Sequence, residues 1–287
     1  MYRVFSPRRH VRAAVAVIAL CLTVATVWHL PDAPAAATPA EGPAIPIIMY
    51  HSILPDEKRQ GDYVITPAQF EQDLQHLKAS GYTTVVVADL IAYVREGKPL
   101  PDRPVMLTFD DGYYNNLHYA HPLLEKYGMR AVLSPIGTWS EHYSVHPGER
   151  DHDNYSHLTW EQLRQMAQTG VWEIQNHSYD LHHIDSGQKG AAKRKGESDA
   201  GYRLRLKNDL SAAQDLLTEQ VGVTPTAFTY PYGAYSAASQ AVLEEMGFCA
   251  SLSCEERISV LTRDPACLWR LGRYLRPANK DVKTILK

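Results

Sequence analysis

Three short segments of this chain carry residues whose types and spacing suit hydrolysis at a metal ion. In Thr108-Phe109-Asp110-Asp111-Gly112 an apolar run ends in two adjacent carboxylates and a glycine. Successive residues of a strand face opposite sides. At a strand end that turns sharply, both carboxylates can still reach one site and do different jobs. Asn176-His177-Ser178-Tyr179-Asp180-Leu181-His182-His183 also follows an apolar run. Two imidazoles a few residues apart, joined by a carboxylate from elsewhere, make a His/His/Asp set that suits catalytic zinc or a similar divalent ion. In Phe228-Thr229-Tyr230-Pro231-Tyr232-Gly233 the proline and glycine fix a turn that can present a backbone N–H beside a metal. A fourth segment, Met49-Tyr50-His51-Ser52, puts an imidazole at the end of an apolar stretch.

Other hydrolytic chemistries fit less well. No Gly-x-Ser-x-Gly elbow is present, which disfavours a serine nucleophile. A glycosidase needs two carboxylates at separate positions flanking a bond, whereas Asp110 and Asp111 are neighbours.

The elements that must position these groups alternate regularly. Strands are expected at Ile47–Tyr50, Thr83–Val87, Val105–Phe109, Ala131–Ile136, Trp172–Gln175, Ala227–Tyr230 and Cys249–Leu252. Between them lie helical patterns. Thr66-Pro67 opens one with Phe70, Leu74 and Leu77 at core spacing, closed by Gly81. Others run over Leu117–Tyr127, Leu158–Thr169, Tyr202–Gln220 and Ser236–Met246. About seven strand–helix units in alternation predict an α/β fold: a distorted (β/α)7-type barrel of parallel strands with outer helices, forming one catalytic domain. Ser140 to His157 and Ser186 to Gly201 read as surface insertions, the second rich in Lys, Arg and Gly and expected to be mobile.

Composition sets the surroundings. Apolar residues make up 45% of the 287, enough for a sizeable core, and the net charge of -3 argues against a broad basic nucleic-acid surface. Arg3, Arg8, Arg9 and Arg12 precede an apolar run from Ala13 to Val27, and a small-residue, proline-rich stretch follows from Pro31 to Pro46. Residues 1–30 are therefore expected to be a secretory signal peptide or a single membrane anchor, and 31–46 a linker. The domain is expected over 47–287, exported and either secreted or held at the outer face of the cytoplasmic membrane. Three of the four cysteines, Cys249, Cys254 and Cys267, lie in that domain. A Cys254–Cys267 bridge and three unpaired thiols are both open readings.

Taken together, the motifs resemble the NodB-homology polysaccharide deacetylases, carbohydrate esterase family 4, over roughly Ile47 to Pro277. The resemblance implies that Asp110 is the catalytic base, that Asp111 binds the metal, and that His177 and His182 complete the metal site. The commonest spacing of that histidine pair is four residues. Here it is five, as in the branch that resembles the poly-N-acetylglucosamine deacetylases, and His183 is the alternative ligand. Many members carry a late histidine as general acid, but none follows His183 here. That branch places the element at the start of the domain, which gives His51 the role. Thr229 stands where an arginine usually opens the third motif, and Arg270, Arg273 and Arg276 are the candidates to replace it. The backbone N–H of Tyr232 is the implied oxyanion donor.

The implied reaction is metal-dependent hydrolysis of N-acetyl groups from an extracellular or cell-wall aminosugar polymer. Zinc is the expected ion, with cobalt or nickel as alternatives. The expected partner is the polysaccharide itself, with no nucleic acid, with membrane contact only through the N-terminal segment, and with the chain a monomer. Peptidoglycan or another acetylated glycan is the alternative substrate. A carbohydrate-binding protein on an inactive fold is the alternative class. Trp139, Trp160 and Trp172 are candidates to stack on sugars or to pack the core.

Overall fold

Short strands of two to eight residues, joined by turns and helices, build the wall that carries every motif named above. The computed structural model describes residues 42–185 and 187–286. The wall strands are β1 (Ile47–Tyr50), β3 (Pro104–Asp111), β4 (Ala131–Pro135), β5 (Trp172–Ile174), β6 (Ala227–Thr229), β7 (Ala250–Leu252) and β8 (Tyr274–Leu275). β1 lies between β8 and β3, and β4 and β5 follow, all parallel. Asn176 bridges in parallel to Phe228, and β6 pairs in parallel with β7. A further parallel bridge, Leu252 to Leu271, carries the wall back to β8. The ring is thus a distorted barrel, hydrogen-bonded fully on one side and by single bridges on the other. A short strand, β2 (Thr83–Val85), pairs with the first half of β3 outside this ring.

Side-chain alternation along the strands separates two cores. Ile47, Met106, Val132, Ala227, Ala250 and Leu271 fill the barrel. Ile48, Leu107, Phe109, Leu133 and Trp172 face outward under the helices. The helices that cover them start where the sequence says they should. Thr66 and Gln69 form a reciprocal cap on α1 (Pro67–Ala79), which buries Phe70, Leu74 and Leu77. Each such side chain contributes about 1.5–3 kcal/mol of transfer free energy. Thr159 and Gln162 cap α5 (Trp160–Gln168) in the same way, and Trp160, Leu163 and Met166 are buried.

Several expectations need correction. The strand expected over Thr83–Val87 stops at Val85, because the Asp89 carboxylate accepts the Val86 N–H and starts α2 (Val87–Glu96). The β-branched run hid that start. Helix α3 (His121–Tyr127) is preceded by a wider turn over Asn116–Ala120. The stretch from Ser140 is no mere insertion, since its first turn and a half belong to α4 (Gly137–Val145). α6 (Asp199–Leu216) begins three residues before the expected Tyr202, capped by Ser198, and α7 spans Ser239–Glu245. The segment after Ser186 packs down rather than standing free: Ala191 is fully buried and its carbonyl accepts the Tyr202 hydroxyl at 2.9 Å. The domain also starts earlier than residue 47, as Ala44–Ile45 pairs antiparallel with Ser259–Val260 and Ile45 is buried. Strand β8 and the short helix α8 (Val282–Ile285) were not expected. Cys249, Cys254 and Cys267 are each free. The expected leader or anchor at 1–30 and most of the linker fall outside the described residues. Among the described residues no helix is long and apolar enough to cross a membrane.

Candidate active site at the C-terminal ends of the barrel strands

Parallel strands deliver the ends of every motif to one face. A cavity of about 610 Å³ opens there, lined by His51, Asp110, Asp111, His177, His182 and Tyr232 among others. Catalytic groups of barrel enzymes collect at this end. Alternation along β3 turns Asp110 inward with Met106 and Thr108 and would turn Asp111 outward. Asp111 instead adopts φ 70, which swings its carboxylate back into the cavity. Gly112 follows at φ 76, and a Cβ there would stand 2.8 Å from Pro135 Cβ. Ser178 (φ 80) and Tyr232 (φ 56) are also left-handed. Such backbone costs about 1–3 kcal/mol per residue and persists where the surrounding structure over-determines it.

Three acceptor atoms converge beside this strained turn. Asp111 Oδ1 lies 3.4 Å from His177 Nε2 and 3.2 Å from His182 Nε2. One ligand atom from each residue falls within 4.8 Å of the others. His177 Nδ1 is 2.7 Å from the Thr229 carbonyl oxygen, which can only accept, so the proton sits on Nδ1 and Nε2 offers its lone pair. His182 Nδ1 lies 2.9 Å from the Tyr232 hydroxyl, whose own hydrogen goes to the His182 carbonyl at 3.3 Å. This again leaves Nε2 free. Asp111 Oδ1 is buried with no hydrogen-bond partner among the described residues. Three lone pairs aimed at one point, one of them an orphaned anionic oxygen, fit a small cation. In a tetrahedral set with bonds of about 2.0–2.1 Å, neighbouring donors stand about 3.3 Å apart, close to the two separations from Asp111 Oδ1 to the imidazoles.

The field agrees with that fit. Burial would raise the Asp111 carboxyl, but His177, His51 and His182 hold it well below the usual carboxylate range. Burial would lower His177, yet Asp111 and Asp110 raise it above its ordinary value. The pocket thus favours positive charge at this point. His183 is excluded as a ligand, because its ring turns out to Asp180 at 2.8 Å and stays exposed.

Asp110 has a different partner. Both of its oxygens accept from Arg273, at 2.7 and 2.8 Å, in a buried fork-to-fork pair. Arg273 is itself fixed by the Ser253 carbonyl at 2.8 Å and the Thr108 hydroxyl at 3.3 Å. Burial alone would raise Asp110, but Arg273 and His177 hold it below its usual value. Arg273 is therefore the arginine that the third motif lacks. Arg276 is committed to a buried pair with Asp73, and Arg270 lies over Tyr235 at the surface. Thr229 holds Ser134 through its hydroxyl and His177 through its carbonyl.

The two remaining predicted residues also reach the cavity. His51 follows β1, with its carbonyl held by Asn116 at 2.8 Å and its ring edge-on to Tyr63 at 4.8 Å. Its Nδ1 is buried without a partner among the described residues, and burial lowers its pKa against the pull of Asp111 and Asp110. In the turn after β6 the N–H groups of Gly233 and Ala234 bond back to Tyr230 and Pro231, while the Tyr232 N–H takes no part. Sequence reasoning did not place Tyr113, Lys189, Cys254 or Glu256 at the site, and all four line the same cavity. The last two arrive through the Leu252–Leu271 bridge, which no local pattern announces.

The family model described as polysaccharide deacetylase matches residues 97–251, so the chain belongs to that family. Its likeness to individual members is more particular. It is 27% identical over 217 residues to the poly-beta-1,6-N-acetyl-D-glucosamine N-deacetylase of Escherichia coli strain K12, covering 70% of this chain and 32% of that protein. It is 26% identical over 196 residues to the protein of the same name from Staphylococcus aureus strain MSSA476, covering 68% and 63%. The chain thus spans about a third of the first relative and under two thirds of the second. The solved de-N-acetylase from Aggregatibacter actinomycetemcomitans superposes with a TM-score of 0.72 at 25% identity, covering 85% of this chain and 99% of that one.

Proposed function

We propose that this protein hydrolyses N-acetyl groups from a poly-N-acetylglucosamine-like polymer outside the cell, releasing acetate, with a divalent ion at Asp111, His177 and His182. The observation that carries the metal is the convergence of three acceptor atoms, one an orphaned buried carboxylate oxygen, beside the Asp110–Arg273 pair. The polymer rests on the names of the two curated relatives. Export rests on the basic start and apolar run of the N-terminal segment, and cell fractionation tests it.

Asp110 is held ionised and aimed by Arg273, and it accepts the proton of the attacking water. A carboxylate below its usual pKa is a weak base. It suffices when the water itself is made acidic and the amide carbonyl polarised, which is the chemistry a divalent ion supplies when bound. The Tyr232 N–H, free of other bonds in its turn, donates to the carbonyl oxygen as charge builds there. One such donor is worth about 3 kcal/mol. His51 gives its proton to the departing nitrogen as the C–N bond breaks, a contribution of roughly 10²–10⁴-fold. Burial makes its imidazolium a stronger acid. Acetate and a free sugar amine leave.

Elemental analysis of the purified protein tests the assignment. We expect close to one divalent ion per chain, zinc first, with cobalt or nickel able to replace it. Asp110→Asn should keep the ion and lose turnover by about 10³-fold or more. His177→Ala should lose both together. Metal loss from the Asp110 variant, or an active His177 variant, contradicts these roles.

A further inference from the structure

Beside the cavity stands an aromatic stack that the catalytic roles above do not use. Trp139 is 44% exposed, a large apolar ring left in water. Its indole lies nearly parallel to the His157 ring, 5.3 Å between centroids at 13°, and to Tyr143 at 6.4 Å and 29°. Those two rings are themselves near-parallel at 5.8 Å. His157 is buried, and its ring also meets Tyr113 at 4.6 Å and 32°. Tyr113 lines the cavity that holds Asp111 and the histidine pair. The rings thus run without a gap from the cavity wall out to solvent.

The stack is also in fixed register with the catalytic segments on both sides. Tyr113 and His157 form an antiparallel bridge, the Tyr114 N–H donates to Ser156 at 2.9 Å, and the Leu158 N–H donates to Gly112 at 2.8 Å. These bonds tie the stack to the turn that carries Asp110 and Asp111. Gly137 and Thr138, two residues and one residue before Trp139, donate to the carbonyls of Ser178 and Tyr179 at 3.0 and 2.9 Å. These tie it to the segment that carries His177 and His182. Gly137 can pass so close because it lacks a Cβ, which would stand 2.8 Å from the Tyr179 ring.

An exposed indole already held by ring stacking and backbone bonds loses little freedom when a flat apolar face settles on it. A pyranose presents such a face of C–H groups. We propose that Trp139 is the platform of a second sugar subsite, which binds a pyranose unit of the polymer next to the one whose acetyl group enters the cavity. The proposal rests on the glycan reading above and names the part of the chain that would recognise length.

The test uses the full chain and β-1,6-linked N-acetylglucosamine oligomers of two to six units. Binding is read by tryptophan fluorescence and by calorimetry, and acetate release is measured on the same samples. The parent protein should bind the hexamer about tenfold more tightly than the dimer. Trp139→Ala should remove most of that preference and the fluorescence response, while Trp139→Phe keeps a large part of both. Trp139→Gln serves as the second truncation if the alanine variant melts early. A hexamer-to-dimer ratio unchanged in both truncations overturns the subsite, as does a parent protein that binds no hexamer. If the hexamer binds through Trp139 and no acetate is released, the subsite stands and the deacetylase reading falls.

Discussion

At the scale of single residues, one arginine decides how the two neighbouring aspartates differ. Asp110 and Asp111 have the same side chain and are both buried, but Arg273 holds one and the imidazoles face the other. Removing Arg273 would leave Asp110 as an uncompensated buried charge. Loss of one partner of a buried pair costs about 3–5 kcal/mol. We therefore expect Arg273→Met to lower unfolding stability by about that much, read by urea denaturation. Arg273→Lys keeps the charge without the planar fork. It should be the more stable of the two and still lose most activity, because a single ammonium does not fix both carboxylate oxygens. Parent-like turnover in Arg273→Lys would show that the fork is not what aims the base. This choice among Arg270, Arg273 and Arg276 was not legible in the sequence. All three sit near one another in the chain, and the selection depends on how the last strand returns to the barrel. His51, Asp110, Asp111, His177, His182 and Tyr232 all line the one cavity, and it was the resemblance of their motifs that singled them out.

At the scale of elements, the turn after β6 is braced from outside. Gly190, at φ 52, passes against the Pro231 carbonyl, and a Cβ there would stand 2.3 Å from its oxygen. Pro231 precedes Tyr232, whose hydroxyl orients His182. Gly190→Ala must push this turn. Its effect on kcat/KM should exceed its effect on stability, since a displacement of about 1 Å at a catalytic group can cost about 10²-fold. Gly196→Ala, also at positive φ but with nothing within 4 Å, carries the backbone strain alone and serves as the comparison. Equal activity in the two variants would remove the bracing role. The sequence reading of this region as a mobile surface segment failed for a physical reason. Its Lys, Arg and Gly composition matches a solvated loop, but Ala191 is buried against Tyr202, eleven residues further along the chain. Helix α2 was hidden differently, by a Val85-Val86-Val87 run whose β propensity masked an Asp89 cap.

At the scale of the molecule, the barrel brings distant strand ends together. Six of the seven wall strands, β1 and β3 to β7, were legible because alternation between periods of two and 3.6 is local. Closure was not, since it passes through single bridges at Asn176–Phe228 and Leu252–Leu271 and through the two-residue strand β8. That closure is what seats Arg273 beside Asp110 and gathers the donors of Asp111, His177 and His182 at one face. The decisive property of this gathered site is metal-dependent removal of acetyl groups. Acetate release from poly-N-acetylglucosamine oligomers should therefore be measured before and after treatment with a chelator, and again after zinc or cobalt is restored. We predict release by the untreated protein, loss on chelation and recovery on re-addition. Release that persists undiminished without metal, or no release from any acetylated sugar when the metal is present at one ion per chain, would contradict the central claim.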